Sequence, residues 1–180
     1  KETELYQKFW DTFGMVLKEG VGEDFANREK IVSLARFSST HKNEEAQTVS
    51  LDDYVGRMQK GQEIIYYLVS DGFQAAQSSP HLEIFKKKGI EVVLLHERID
   101  EWFTSHVTEY KGKKLQSVAR GDLSEPALKN EEDKKAHEDT EKAFESVVKQ
   151  MQTVLKDEVK SVSVSKRLTD SPSCLIADQN

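Results

Sequence analysis

The stretch that most constrains the fold lies between residues 62 and 97, where the hydrophobic period changes twice. "EIIYYLVS" is β-rich, "DGFQAAQSSPHLEIFKKKG" carries helical spacing, and "IEVVLLHE" is β-rich again. Strand, helix and strand in that order predict a βαβ unit. Both strands are apolar at consecutive positions, so each needs cover on two faces. A small α/β/α sandwich with parallel strands and a right-handed crossover follows. Within the crossover Ser79 and Pro80 read as an N-cap and first helical residue, and Gly89 as the stop after three lysines. "IDEWFTSHVTEY" reads as the next helix and "KKLQSVAR" as a further strand near the sheet edge.

The residues before this unit are helical. "ELYQKFWDTFGMVLKEG" places Leu5, Phe9, Phe13, Val16 and Leu17 three and four apart, which predicts one inward face, with Gly20 as the stop. "NREKIVSLARFSS" predicts a second helix, with Asn27 as N-cap and Ile31, Leu34 and Ala35 turned inward. "SLDDYVGRMQKG" opens with Ser50 and Asp53 in capping-box spacing and closes on Gly61. Beyond the sandwich, "GDLSEPALKNEEDKK" is polar and without apolar period, as a linker would be. The long helix after it carries Ala136, Ala143, Val147, Met151 and Val154 on one stripe, with Phe144, Val148 and Leu155 beside it. "KSVSVSKRL" and "SCLIAD" then read as two strands.

The fold class is therefore α/β, or α+β overall. Residues 1–61 form a helical connector, 62–120 the small sandwich, 121–130 a linker, and 131–180 the opening part of a second α+β domain. The chain starts without Met and stops just after an apolar stretch, as expected of a piece of a longer protein whose second domain shows an uncovered apolar face at Val147, Met151 and Val154.

A net charge of −6 argues against nucleic acid or an anionic membrane as partner, since either needs a concentrated basic surface. No apolar run approaches the roughly 20 residues that span a bilayer. The single Cys174 cannot close an internal disulfide, which suits a reducing, cytoplasmic setting.

Catalytic chemistry is sparse. The five histidines, at 41, 81, 96, 106 and 137, contain no pair at the i, i+4 spacing of a helical zinc site. Cys174 has no CxxC partner, and no GxSxG or phosphate loop occurs. "GVGEDF" has too few glycines for a dinucleotide turn, so Gly20 and Gly22 read as a helix end and turn. The lysines at 86–88 suit the last turn of a helix, and the acid pairs Asp52 with Asp53 and Asp100 with Glu101 suit first turns, as the macrodipole favours. "RGD" at 120–122 is a three-letter match at a domain boundary.

Trp102 and Phe103 stand apart. Neighbouring helix positions point about 100° apart, so one inward stripe cannot hide both rings. Either Trp102 packs on the sheet and Phe103 fills an interface with the connector, or one ring stays partly exposed beside Asp100, Glu101, Ser105 and His106. Large apolar side chains in a polar setting mark protein-binding surfaces.

Four segments carry a resemblance: "EDFANREKIVSLARFSST", "QTVSLDDYVGRMQKGQEIIYYLVSD", "SSPHLEIFKKKGIEVVLLHERIDEWF" and "VSVSKRLTDSPSCLIAD". In this order they resemble the heat-shock protein 90 chaperones, on the bacterial HtpG branch, over nearly the whole chain. The resemblance implies the coil and small sandwich of a middle domain, followed by the start of a C-terminal dimerisation domain. It implies no cofactor in this piece. ATP and magnesium would bind in an N-terminal domain of the parent protein, a homodimer that hydrolyses ATP. It also implies a client-binding surface at Glu101, Trp102, Phe103, Ser105 and His106. Glu101 and Trp102 match the family pattern, Phe103 stands where methionine is common, and Ser105 stands where close relatives carry asparagine. The expected partners are partly folded client proteins and the other domains of the same chaperone. The alternative is a structural spacer between ATPase and dimerisation domains, with its aromatic rings buried.

Overall fold

The computed structural model describes residues 2–121 and 131–178. The linker expected at 121–130 and the stripe position Ala136 fall, but for Gly121, outside the described residues and side chains. Seven α-helices are described: α1 (Glu2–Glu23), α2 (Arg28–Leu34), α3 (Leu51–Arg57), α4 (Phe73–Gln77), α5 (Glu83–Lys88), α6 (Ile99–His106) and α7 (Glu131–Val154). Five strands join them: β1 (Ser38–Ser39), β2 (Ile64–Val69), β3 (Val93–Leu95), β4 (Glu109–Tyr110) and β5 (Lys113–Ser117).

The strands form one sheet in the order β1-β3-β2-β5-β4, parallel at its centre and antiparallel at both edges. The expected βαβ unit is its heart: Tyr67, Leu68 and Val69 of β2 lie beside Val93, Leu94 and Leu95 of β3. Alternation along the strands divides the core. Ile65, Val93 and Leu95 face Trp10, Val21, Val32, Tyr54 and Phe103, whereas Tyr66, Leu68, Val92 and Leu94 face Phe73, Ala76, Leu82 and Phe85. Helices therefore cover both faces, as two-sided apolar strands require. Each fully buried large side chain, such as Phe85, contributes about 1.5–3 kcal/mol.

Local signals set the boundaries. The Ser79 hydroxyl accepts the His81 N–H with Pro80 at the first helical position, and Gly89 closes α5 at φ 65°. Ser50 and Asp53 form the reciprocal capping box. Gly61, at φ 86°, serves the turn after α3, which itself ends at Arg57. The β4–β5 hairpin turns on Lys111 and Gly112, both at positive φ, as a two-residue hairpin loop demands.

Several expectations are corrected. The face of α1 carrying Leu5, Phe9, Phe13 and Val16 points outward, and the buried face is Trp10, Gly14, Lys18 and Val21. The helix also runs through Gly20 to Glu23. In α2, Val32 is buried while Leu34 is exposed, and Asn27 makes no side-chain cap. Ser38 and Ser39, read as the end of α2, instead pair with β3 as an edge strand. The two strands expected after α7 do not form ladders among the described residues; one bridge, Arg120 to Ala177, is all that 155–178 contributes to β pairing. Instead it meets the sandwich through polar groups around Arg167. The buried Arg167 guanidinium donates to the carbonyls of Val118, Arg120 and Gly121, and the Ile84 N–H donates to the Arg167 carbonyl at 3.1 Å. Phe144, Val147, Met151 and Val154 of α7 are exposed.

Candidate functional site

Helix α6 leaves β3 through His96–Arg98 and starts without a side-chain cap on Arg98. Asp100 instead reaches back ahead of the helix, taking the Glu97 N–H at 3.0 Å on Oδ2. Its other oxygen takes the Lys18 ammonium at 2.7 Å, and Glu97 Oε2 takes the same ammonium at 2.7 Å. Lys18 is 1% exposed, and its Nζ stands 5.2 Å from the centre of the Phe37 ring. A buried cation held by two carboxylates thus ties the middle of α1 to the first turn of α6. Burial raises the Glu97 pKa, but the hydrogen bond and charge of Lys18, together with the Gln47 side chain and His96, outweigh it and hold the carboxyl below its ordinary value.

That tie fixes the two rings. Phe103 points into the core at 1% exposure and meets Phe37 edge-on, with ring centres 5.2 Å apart. It therefore leaves the set of surface contacts expected from sequence, because the turn that exposes its neighbour buries it. Trp102, one position earlier, lies across the end of α1 and stays 43% exposed. Its Nε1–H donates to the Glu19 carbonyl at 3.2 Å. The ring sits directly over Gly22, where an added Cβ would fall 2.4 Å from Cζ2, so only glycine admits this approach.

The rim is polar. Ser105 Oγ donates to the Trp102 carbonyl at 2.7 Å and lies 2.9 Å from His106 Nδ1. The His106 ring packs 4.1 Å from the Trp102 ring, centre to centre, and Glu101 is exposed beside them. Glu101, Trp102, Ser105 and His106 are thus brought together along one side of α6. Sequence reading missed Lys18 and Gly22, which hold the patch in place; a lysine inside a helix's apolar spacing and a glycine near its end were the available signals.

No cluster of three or more histidine, cysteine or acidic side chains able to hold a metal occurs among the described residues. No described helix is long and apolar enough to cross a membrane. The patch offers an amphipathic contact of indole, imidazole, hydroxyl and carboxylate groups rather than a nucleophile with its base.

Comparison with known proteins gives the family. The model for the Hsp90 protein family matches residues 1–180. The chaperone protein HtpG of Nitrosomonas eutropha is 56% identical over 178 residues, covering 99% of this chain and 28% of that protein. HtpG of Pseudoalteromonas translucida is 57% identical over 175 residues, covering 97% of this chain and again 28% of the relative. The chain therefore spans 28% of the length of these relatives. Among solved structures, the middle domain of a Plasmodium falciparum heat shock protein superposes with a TM-score of 0.59 at 38% identity, over 63% of this chain and 47% of that one. Matched end to end by the family model and more than half identical to curated chaperones, this chain belongs to the Hsp90 family.

Proposed function

We propose that this chain supplies part of the client-binding surface of an ATP-dependent chaperone and couples domain movement to that surface. One observation carries the reading: Trp102 is held half out of the core by Gly22 and Glu19, with Glu101, Ser105 and His106 around it. A ring fixed at the surface suits partly folded clients, which expose scattered apolar groups beside polar backbone. The exposed Phe144, Val147 and Met151 of α7 suit the same kind of partner. The ion cluster at Lys18 makes α1 and α6 one lever, through which closure driven by ATP elsewhere in the full-length protein would reorient the patch. In this reading the full protein works as a cytoplasmic homodimer and its nucleotide chemistry takes place outside these residues. A ring left half open favours binding over a passive spacer, in which it would be shielded.

The test is binding of a permanently unfolded model protein to the chain and to Trp102→Ala. Loss of a central aromatic contact should weaken binding by about tenfold or more, while circular dichroism shows the fold intact. Unchanged affinity in a folded variant would overturn the reading.

A further inference from the structure

Beyond α7 the chain returns to the sandwich, and Glu83 is one of the points that grip it. The Glu83 carboxylate, on the first turn of α5, accepts three consecutive backbone N–H groups: Thr169 at 2.6 Å, Asp170 at 2.8 Å and Ser171 at 3.1 Å. It also accepts the Ser171 hydroxyl. Together with the buried Arg167 guanidinium and the Ala119–Ala177–Gly121 backbone bonds, this is what holds 167–177 on the sandwich. The segment is otherwise irregular, and Pro172 and Ser173 beside Ser171 are exposed.

We propose that Ser171 is a phosphorylation site and that its modification opens this latch. The geometry makes the effect specific. Ser171 Oγ points at a carboxylate that already carries a full negative charge, so a phosphoryl group there would bring about −1.5 to −2 further charge against it. No basic side chain takes part in the described hydrogen bonds of Glu83, whose charge is met there by backbone N–H groups and the Ser171 hydroxyl. Thr169 is the weaker candidate, since its Oγ1 stands 3.5 Å from Glu83 and also contacts Asp170 at 3.1 Å. Acid is a poor key for the same lock. The Asp170 N–H, the Ser171 hydroxyl and the Thr169 N–H hold the Glu83 carboxyl at about 2, so it stays ionised at any ordinary pH.

The chemistry is phosphoryl transfer from a nucleoside triphosphate by a serine kinase. The bond from the γ-phosphorus to the bridging oxygen breaks, the bond to Ser171 Oγ forms, the hydroxyl proton passes to the kinase's base, and nucleoside diphosphate leaves. The segment's irregular backbone and the proline that follows suit a proline-directed enzyme. The inference stands whether or not Trp102 touches a client.

Two measurements test it on the 180-residue chain. Incubation with ATP and a proline-directed kinase, followed by phosphopeptide mapping, should label Ser171 ahead of Thr169 and Ser173; no label at Ser171 overturns the site. Chain carrying phosphoserine at position 171, installed during synthesis, should exchange the amide hydrogens of 169–171 more than about tenfold faster than the parent, as loss of charge-assisted bonds implies. The amides of β2 and β3 should keep their protection and so report the intact fold. With Glu83→Gln, whose amide oxygen still accepts these N–H groups but carries no charge, phosphorylation should accelerate exchange at 169–171 far less. Unchanged exchange in the phosphorylated chain, or an equal acceleration by phosphorylation with Glu83→Gln, overturns the latch.

Discussion

Replacing Lys18 by methionine gives the sharpest test of how α1 and α6 are joined. Methionine keeps the length and apolar stem of lysine, so packing against Trp10 and Phe37 changes little. What changes is charge. Asp100, 1% exposed, loses its cation and keeps a single hydrogen bond from the Glu97 N–H. Glu97 can turn toward water, since its side chain is 26% exposed, and adds less. Removing one partner of a buried pair costs about 3–5 kcal/mol. For a chain of this size each kcal/mol moves Tm by about 2–4 °C, so Lys18→Met should melt roughly 6–20 °C below the parent. Thermal and urea unfolding followed by circular dichroism reads this directly. Adding Asp100→Asn to Lys18→Met removes the orphaned charge and should recover about half the loss. A loss under about 1 kcal/mol, or no recovery with Asp100→Asn, would mean that the cluster is solvated in solution and the coupling argument fails.

Two further outcomes are expected. Gly22→Ala should displace the Trp102 ring: helix propensity gains up to about 1 kcal/mol, overpacking costs about 1–3 kcal/mol, and the half-exposed ring swings out more readily than the helix shifts. Tryptophan emission should move to longer wavelength, and unchanged emission would count against the contact. Ser50→Ala should destabilise by about 1 kcal/mol through loss of the α3 cap. The Ser50 hydroxyl leads the contacts that hold the Asp53 pKa below its ordinary value, so Asp53 contributes stability that is present above about pH 4 and lost as pH falls through its folded pKa. The difference between Ser50→Ala and parent in urea unfolding should therefore shrink on acidification; a gap that widens toward low pH would contradict the assignment.

The central sheet was legible because its signals are local. Two-sided apolar strands, the Ser79–Pro80 start, the Gly89 stop and the Ser50–Asp53 box each need only a few neighbouring residues to read. The outer parts were not. Helix α1 carries an apolar sector too wide for its buried part to be picked out, and its buried face contains Gly14 and Lys18, which a hydropathy pattern assigns to the outside. Gly14 is buried because the Trp10 ring lies against it, and Lys18 because two acids some 80 residues later enclose it. Strand β1 is two serines, too short and polar to show a period. The alternation in "KSVSVSKRL" resembles a strand, but a strand exists only where another pairs with it, and Arg167 spends its hydrogen bonds on the sandwich's carbonyls instead. At the candidate site, sequence raised the choice between two rings and the fold answered it: Phe103 inside, Trp102 half outside.

The sheet's margins have a consequence for any extended chain that comes near. Its outermost strands, β1 and β4, are two residues long. Beside β1, Phe37 already exchanges both of its backbone hydrogen bonds with Val49, at 2.8 and 3.0 Å. Beyond β4 the chain turns at once through Lys111 and Gly112, with further lysines at 113 and 114. Long, flat strand borders recruit any extended peptide and seed aggregates. This sheet offers an incoming polypeptide almost no ladder to extend, which leaves only side-chain contacts open to an extended chain at its borders.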